Sequence, residues 1–103
     1  MLLTFKIYNM DSKTQSMGER LLNGIINYYE DEEFLRADGF DDAVIGVDES
    51  SMRLIYSTTK CVETLMLQSE MLLDEALEYF DFNVRGAYMG EKTPIWCEDM
   101  LYE

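Results

Sequence analysis

Residues 30–49 hold nine carboxylates, Glu30, Asp31, Glu32, Glu33, Asp38, Asp41, Asp42, Asp48 and Glu49, with only Arg36 in opposition. Carboxylates at this density suit three chemistries: an all-oxygen site for a hard cation, general acid–base catalysis, or docking on a cationic surface. For the first, Asp38, Asp41, Asp42, Asp48 and Glu49 are dense enough for Mg²⁺ or Ca²⁺, but no register of the EF-hand loop exists among them. For the second, 21 Asp and Glu guarantee pairs at usable separations, so the pairs alone signify nothing. A working pair needs a cleft and an apolar wall that split its two pKa values.

Other catalytic constellations are poorly supplied. The chain has no histidine, so a serine or cysteine nucleophile lacks its usual base. Lys60 stands beside Cys61, yet adjacent residues on a helix point apart, and Cys61 falls on an apolar stripe. That pattern predicts a packed core thiol. Two isolated cysteines, Cys61 and Cys97, do not make a zinc site, and without a secretory leader they are expected reduced and unbridged. The Gly86-Ala87-Tyr88-Met89-Gly90 stretch lacks the lysine and the preceding strand of a phosphate-binding loop. No catalytic residue, cofactor or metal is assigned.

The third chemistry has the better physical footing. Eight Lys and Arg against 21 acids give a net charge of −13. Such a chain does not bind nucleic acid or an anionic membrane unaided, because that requires cations to neutralise phosphates. Its complement is a partner protein with a basic surface. Asp74, Glu78 and Asp81 follow a 4, 3 spacing that puts them on one helical face, with neighbouring β-carbons about 5–6 Å apart, not far from the spacing of successive phosphates. Tyr28, Tyr29, Phe34, Phe40 and Tyr79 lie near these carboxylates, either as interface anchors or as core. The bland alternative is a solvated acidic surface that keeps the chain in solution.

These side chains need a folded scaffold. Apolar residues are 48% of the chain and aromatic residues 13%, too rich for disorder despite the charge. The length suits one domain, residues 1–103, with a small core and a stability that rises with salt as self-repulsion is screened. Leu3, Phe5 and Ile7 alternate as in a strand. Ser16-Met17-Gly18-Glu19 has the form of a capping box, and Leu21, Leu22, Ile25, Ile26, Tyr28 and Tyr29 extend a helix over about residues 17–36. Two apolar runs, Ala43–Val47 and Met52–Tyr56, flank a polar loop as a hairpin. A second helix begins near Ser57 or Thr58, with Cys61, Val62, Leu65 and Met66 inward, and breaks around Ser69. A third runs from about Leu72, with Leu73, Ala76, Leu77, Phe80, Val84, Ala87 and Tyr88 as its buried stripe. Gly90 then caps it and Pro94 stops it. The tail carries Trp96 and packs across the body. The order βαββαα describes an α+β domain with a short antiparallel sheet packed by helices. No apolar run is long enough to span a bilayer, and a cytosolic, soluble protein is expected.

The stretch Glu75-Ala76-Leu77-Glu78-Tyr79-Phe80-Asp81-Phe82-Asn83-Val84-Arg85-Gly86-Ala87-Tyr88-Met89-Gly90-Glu91-Lys92-Thr93-Pro94-Ile95 resembles a segment of small tailed-bacteriophage accessory proteins. Their pattern is E-A-x-E-Y-F-x-F-N-x-x-G-A-Y-x-G-E-x-T-P. Asp41-Asp42-Ala43-Val44-Ile45-Gly46-Val47 is also similar to theirs, so the resemblance spans about residues 41–96. It implies a phage-encoded, non-virion protein acting in the host cytoplasm and carries no catalytic residue with it. The motif residues have a structural reading, with Gly86 allowing close packing and Asn83 bonding the backbone of the tail. They also have a functional one, as a polar patch of Asn83, Tyr88, Glu91 and Thr93.

Charge and resemblance together lead us to expect an acidic inhibitor of a host nucleic-acid-handling or defence protein, such as a restriction or CRISPR effector. Its carboxylates would occupy a basic site that otherwise holds nucleic acid. The expected partner-binding residues are Glu30, Asp31, Glu32, Glu33, Asp38, Asp41, Asp42, Asp74, Glu78 and Asp81. Two alternatives stand beside it. One is a small Mg²⁺- or Ca²⁺-dependent carboxylate enzyme built around residues 38–49. The other is a structural homo-oligomer with Ile95 and Trp96 at the contact.

Overall fold

Ser16 starts α1 (Met17–Tyr28) with the capping box that the sequence spells. Its hydroxyl accepts from the Glu19 amide at 3.1 Å, and the Glu19 carboxylate accepts from the Ser16 amide at 3.1 Å. The computed structural model describes residues 15–100; the strand expected over Leu3, Phe5 and Ile7 lies outside them. Leu22 and Ile25 form the buried side of α1. The helix ends well before residue 36. Tyr29 leaves helical geometry at φ −109°, ψ 57°, and the Glu32 amide closes a turn on the Tyr29 carbonyl at 2.9 Å. Carboxylates crowded at a helix C-terminus oppose its dipole, which favours such an early stop. Phe34 and Ala37 instead pack against the core from a non-helical return segment.

A 3₁₀ turn at Asp41–Ala43 leads into β1 (Val44–Asp48), which pairs antiparallel with β2 (Arg53–Ser57). This is the expected hairpin, with a bulge at the exposed Ile45. Its loop is held by Asp48, which accepts from Ser50 Oγ at 3.0 Å and Ser51 Oγ at 2.6 Å. Helix α2 (Thr58–Gln68) follows without a break, capped by Ser57 Oγ on the Lys60 amide at 3.1 Å. Glu70, at φ 56°, turns the chain after Ser69 into α3 (Leu73–Tyr79).

From here the expectation of one long helix fails. Phe80–Arg85 continues as a π-helix and stops at Gly86, so Ala87 and Tyr88 lie beyond the helix and Tyr88 is exposed. A β-carbon on Gly86 would stand 3.1 Å from the Asp81 carbonyl oxygen. The wide turn itself therefore accounts for this glycine, rather than packing against another helix. Gly90 does adopt the left-handed conformation, at φ 105°, but inside a separate turn. There Thr93 Oγ1 accepts from the Met89 amide at 2.8 Å and donates to the Gly90 carbonyl at 2.6 Å. Asn83 bonds the Tyr79 carbonyl of its own helix at 3.3 Å, not the tail.

The tail packs across the body as a strand. β3 (Ile95–Cys97) lies parallel to β2, pairing Tyr56 with Trp96, and gives a three-stranded sheet in the order β1-β2-β3. A parallel pair needs a crossover, which α2 and α3 supply. The class is α+β as expected, but the sheet is mixed rather than antiparallel, because the third strand returns through two helices and joins β2 in parallel. Leu22, Leu54, Tyr56, Val62 and Phe80 are the large buried side chains at its centre. Trp96 closes the core from the sheet edge, its ring 5.3 Å from Tyr56 and 5.5 Å from Phe80. Among the described residues, no helix is long and apolar enough to cross a membrane.

Candidate functional site

The turn after α1 carries Glu30, Asp31, Glu32 and Glu33, all exposed. Because α1 packs beside β1, the loop at the far end of β1 comes alongside this turn, and the Tyr29 hydroxyl donates to Glu49. Glu49 therefore belongs to the same face. Tyr28 projects from it with 78% of its surface exposed, its ring 4.8 Å from Tyr29 in an edge-on contact. Tyr29 stacks in turn on Phe34 at 6.3 Å, so the exposed ring stands on a packed base. Among the described residues one cation, Lys92, reaches this face. Lys92 Nζ lies 3.2 Å from Glu32 and 5.9 Å from the Phe34 ring. Among the described residues Glu30, Asp31 and Glu33 make no ion pair.

The other expected carboxylates are elsewhere. A helix of 12 residues is about 18 Å long, and Asp42 sits at the opposite end of α1, accepting from Ser16 Oγ at 2.7 Å. Asp41 is paired with Arg36 at 2.9 Å, and Asp38 is exposed in the turn that Gly39 makes at φ 90°. Asp74 and Glu78 are exposed on α3, which packs against α2. Asp81, in the π-helix, is 3.5 Å from Arg85. The ten carboxylates thus form three separate groups. Asp41, Asp42 and Asp81 are engaged within the fold, as is Asp48, whose carboxyl is held below its usual range by the Ser51 and Ser50 hydroxyls. Of the expected anchors, Phe40 is core, Tyr29 and Phe34 are half-buried, and Tyr28 and Tyr79 are exposed.

Two further carboxylates went unnoticed in the sequence. Asp99 reaches back from the tail to the start of α2, accepting from Ser57 Oγ at 2.6 Å and the Thr59 amide at 2.9 Å, with Thr58 Oγ1 3.1 Å away. Glu98 accepts from Thr58 Oγ1 at 2.6 Å and pairs with Arg85 at 3.2 Å. Burial opposes the charge on Asp99, but these donors together outweigh it and hold the carboxyl at about 2. The run Ser57-Thr58-Thr59 opposite Glu98-Asp99 was the signal, legible only once the two segments are known to meet.

Cys61 is fully buried. Burial, assisted by the nearby Asp99 charge, pushes its thiol up to about 12, which makes it a packing residue as its position on the stripe implies. Among the described residues, no three Asp, Glu, Cys or His side chains converge as a metal-binding group. The residue 38–49 carboxylates are spread between two ends of β1, so the arrangement gives the Mg²⁺ or Ca²⁺ reading no geometric support. Trp96, the expected contact of the oligomer reading, is engaged with Tyr56 and Phe80 of its own chain.

A cavity of about 490 Å³ opens between the 35–40 segment, α2, the π-helix and the return to β3. Much of the Glu75–Ile95 stretch surrounds it: Tyr79, Asn83, Val84, Ala87, Met89 and Pro94 line its wall. Of the expected patch of Asn83, Tyr88, Glu91 and Thr93, the Thr93 hydroxyl is taken up by its own turn and the Asn83 amide bonds the Tyr79 carbonyl, while Tyr88 and Glu91 are exposed. Comparison with family models, curated proteins and solved structures finds no match to this chain.

Proposed function

We propose that this protein works by binding, with the face around Tyr28, Glu30, Asp31, Glu33 and Glu49 docking on a basic surface of a partner protein. The observation that carries this reading is the exposed Tyr28 ring set among carboxylates. Tyrosine is enriched where interfaces concentrate their energy, and this ring stands on the packed Tyr29 and Phe34 rings within the carboxylate face. The carboxylates speed encounter and make it salt-sensitive, and the ring supplies apolar area once the surfaces meet.

The finer form of the proposal rests on the charge and on the phage resemblance of residues 41–96. In it the protein is a phage accessory factor in the host cytoplasm that inhibits a nucleic-acid-handling or defence protein by blocking its basic site. The test is retention of bacterial lysate proteins on the immobilised chain, compared with a variant carrying Glu30→Lys, Asp31→Lys and Glu33→Lys. A protein retained by the parent, released by salt and by added DNA or RNA, and not retained by the variant supports inhibition. Retention unchanged in the variant removes this face from the mechanism.

A further inference from the structure

Beside the 490 Å³ cavity, and sharing Tyr79 and Asn83 with it, lies a shallower depression walled by Met71, Glu75, Glu78 and Phe82. The two differ in where charge sits. Leu65, Val84, Met89 and Trp96 form an apolar wall of the cavity, with Arg36, Asp38 and Gln68 elsewhere in its lining, and that wall suits an aliphatic side chain. The depression sets two carboxylates one helical turn apart beside two aromatic rings and a thioether, an arrangement that attracts a lysine ammonium or an arginine guanidinium. Among the described residues the Glu78 carboxylate makes no hydrogen bond or ion pair. Glu75 spends only Oε1, on the Leu72 amide at 2.9 Å. The neighbouring cation, Arg85, is already held by Asp81 and Glu98 and lies over the Phe80 ring at 5.1 Å. The rim is apolar and exposed: Phe82 by 77%, Met89 by 64%. Each depression thus has an exposed apolar side chain at its edge, available to a bound partner.

From this juxtaposition we infer that the paired depressions dock a peptide segment of a partner protein, one with a lysine or arginine next to an aliphatic side chain. The cation sits between Glu75, Glu78, Tyr79 and Phe82, and the aliphatic group enters the cavity under Met89 and Trp96. Charge complementarity selects this occupant over nucleic acid or an acidic peptide, and two adjoining subsites, only one of which carries the Glu75 and Glu78 carboxylates, call for a chain rather than a single small cation. The inference rests on the reading that this protein binds a basic partner, and adds a contact distinct from the Tyr28 face.

Trp96 is the single tryptophan of the chain and lines the cavity, so its fluorescence reports occupancy directly. The probe is an acetylated, amidated hexapeptide of alternating leucine and lysine, titrated at physiological ionic strength against leucine–glutamate and serine–lysine counterparts. The expected result is a saturable emission change with the leucine–lysine peptide and none with the other two. Glu78→Lys, on an exposed position, should weaken it roughly tenfold, whereas Glu30→Lys with Asp31→Lys should leave it within about twofold. A flat titration up to millimolar peptide overturns the inference. So does an equal response to serine–lysine peptide, or an equal loss in the Glu30, Asp31 variant, since either means diffuse charge attraction. Failure of the Tyr28 face is separate: it abolishes partner capture while leaving this peptide response intact.

Discussion

A β-carbon on Gly18 would lie 2.3 Å from the carbonyl oxygen of Asp42. Helix α1 and the 3₁₀ turn before β1 therefore meet backbone to backbone, and the Ser16 hydroxyl fastens the same contact through the Asp42 carboxylate. This junction sets where α1 lies on the sheet, and so where its other end presents Tyr28 and Glu30.

Gly18→Ala should consequently be costly. No flexible side chain can yield, because the obstructing atoms are main chain, and overpacking of this kind costs about 1–3 kcal/mol or more. Ser16→Ala should cost about 1 kcal/mol through the lost cap. Urea unfolding followed by circular dichroism measures both. A Gly18→Ala protein as stable as the parent would mean that the helix and turn are not in contact.

Tyr56 is fully buried, and its hydroxyl accepts from the Ala37 amide at 2.8 Å. Tyr56→Phe keeps the ring packing and strands that amide. The expected loss is about 1 kcal/mol, a typical net hydrogen bond at a half-buried amide, with faster hydrogen exchange at Ala37 as the local signature.

Much of this scaffold was legible from sequence where the signal is local. The Ser16–Glu19 capping box, the hairpin around Asp48 and the start of α2 at Thr58 each follow from a few adjacent residues. What was missed is non-local. Three residues, Ile95–Cys97, carry no strand signal of their own and become β3 by pairing with β2. The stripe from Leu73 to Tyr88 has helical spacing, yet it widens into a π-helix at Phe80 and ends before Ala87. The helix expected to reach about residue 36 stops at Tyr28, because the chain turns at Tyr29, and Phe34 belongs to a return segment. The carboxylates of the candidate face were evident as a run. Which of them are engaged inside the fold depended on Ser16, Arg36 and Arg85, partners up to 26 residues away.

Asp99 makes stability depend on acid pH. Its folded value of about 2 lies below the ordinary 3.8, so folding favours the charged form. That contribution is complete above the ordinary value and is lost as pH falls through about 2. Asp99→Asn should lower the melting temperature at neutral pH by weakening the start of α2, a cap-sized effect of about 1 kcal/mol, and should flatten the decline below pH 4 or so. Thermal melts across that window check it. An unaltered acid profile would show that Asp99 does not hold Ser57 and Thr59.

The two thiols should differ in reactivity. Cys61, buried and pushed up to about 12, should resist iodoacetamide in the native state, while the partly exposed Cys97 reacts. Mass spectrometry of tryptic peptides reads the order. Prompt alkylation of Cys61 without unfolding would contradict its place in the core.

The central claim is that Tyr28 and its surrounding carboxylates form a binding face. The most direct measurement is the affinity of a protein captured from lysate for the parent chain, for Tyr28→Ala and for the Glu30→Lys, Asp31→Lys, Glu33→Lys variant, at low and high salt. Because all four positions are exposed, circular dichroism should show the variants folded. The account predicts that Tyr28→Ala loses roughly tenfold or more in affinity, as an aromatic anchor does, and that charge reversal abolishes binding together with its salt dependence. Binding that survives both changes at parental strength would contradict the account.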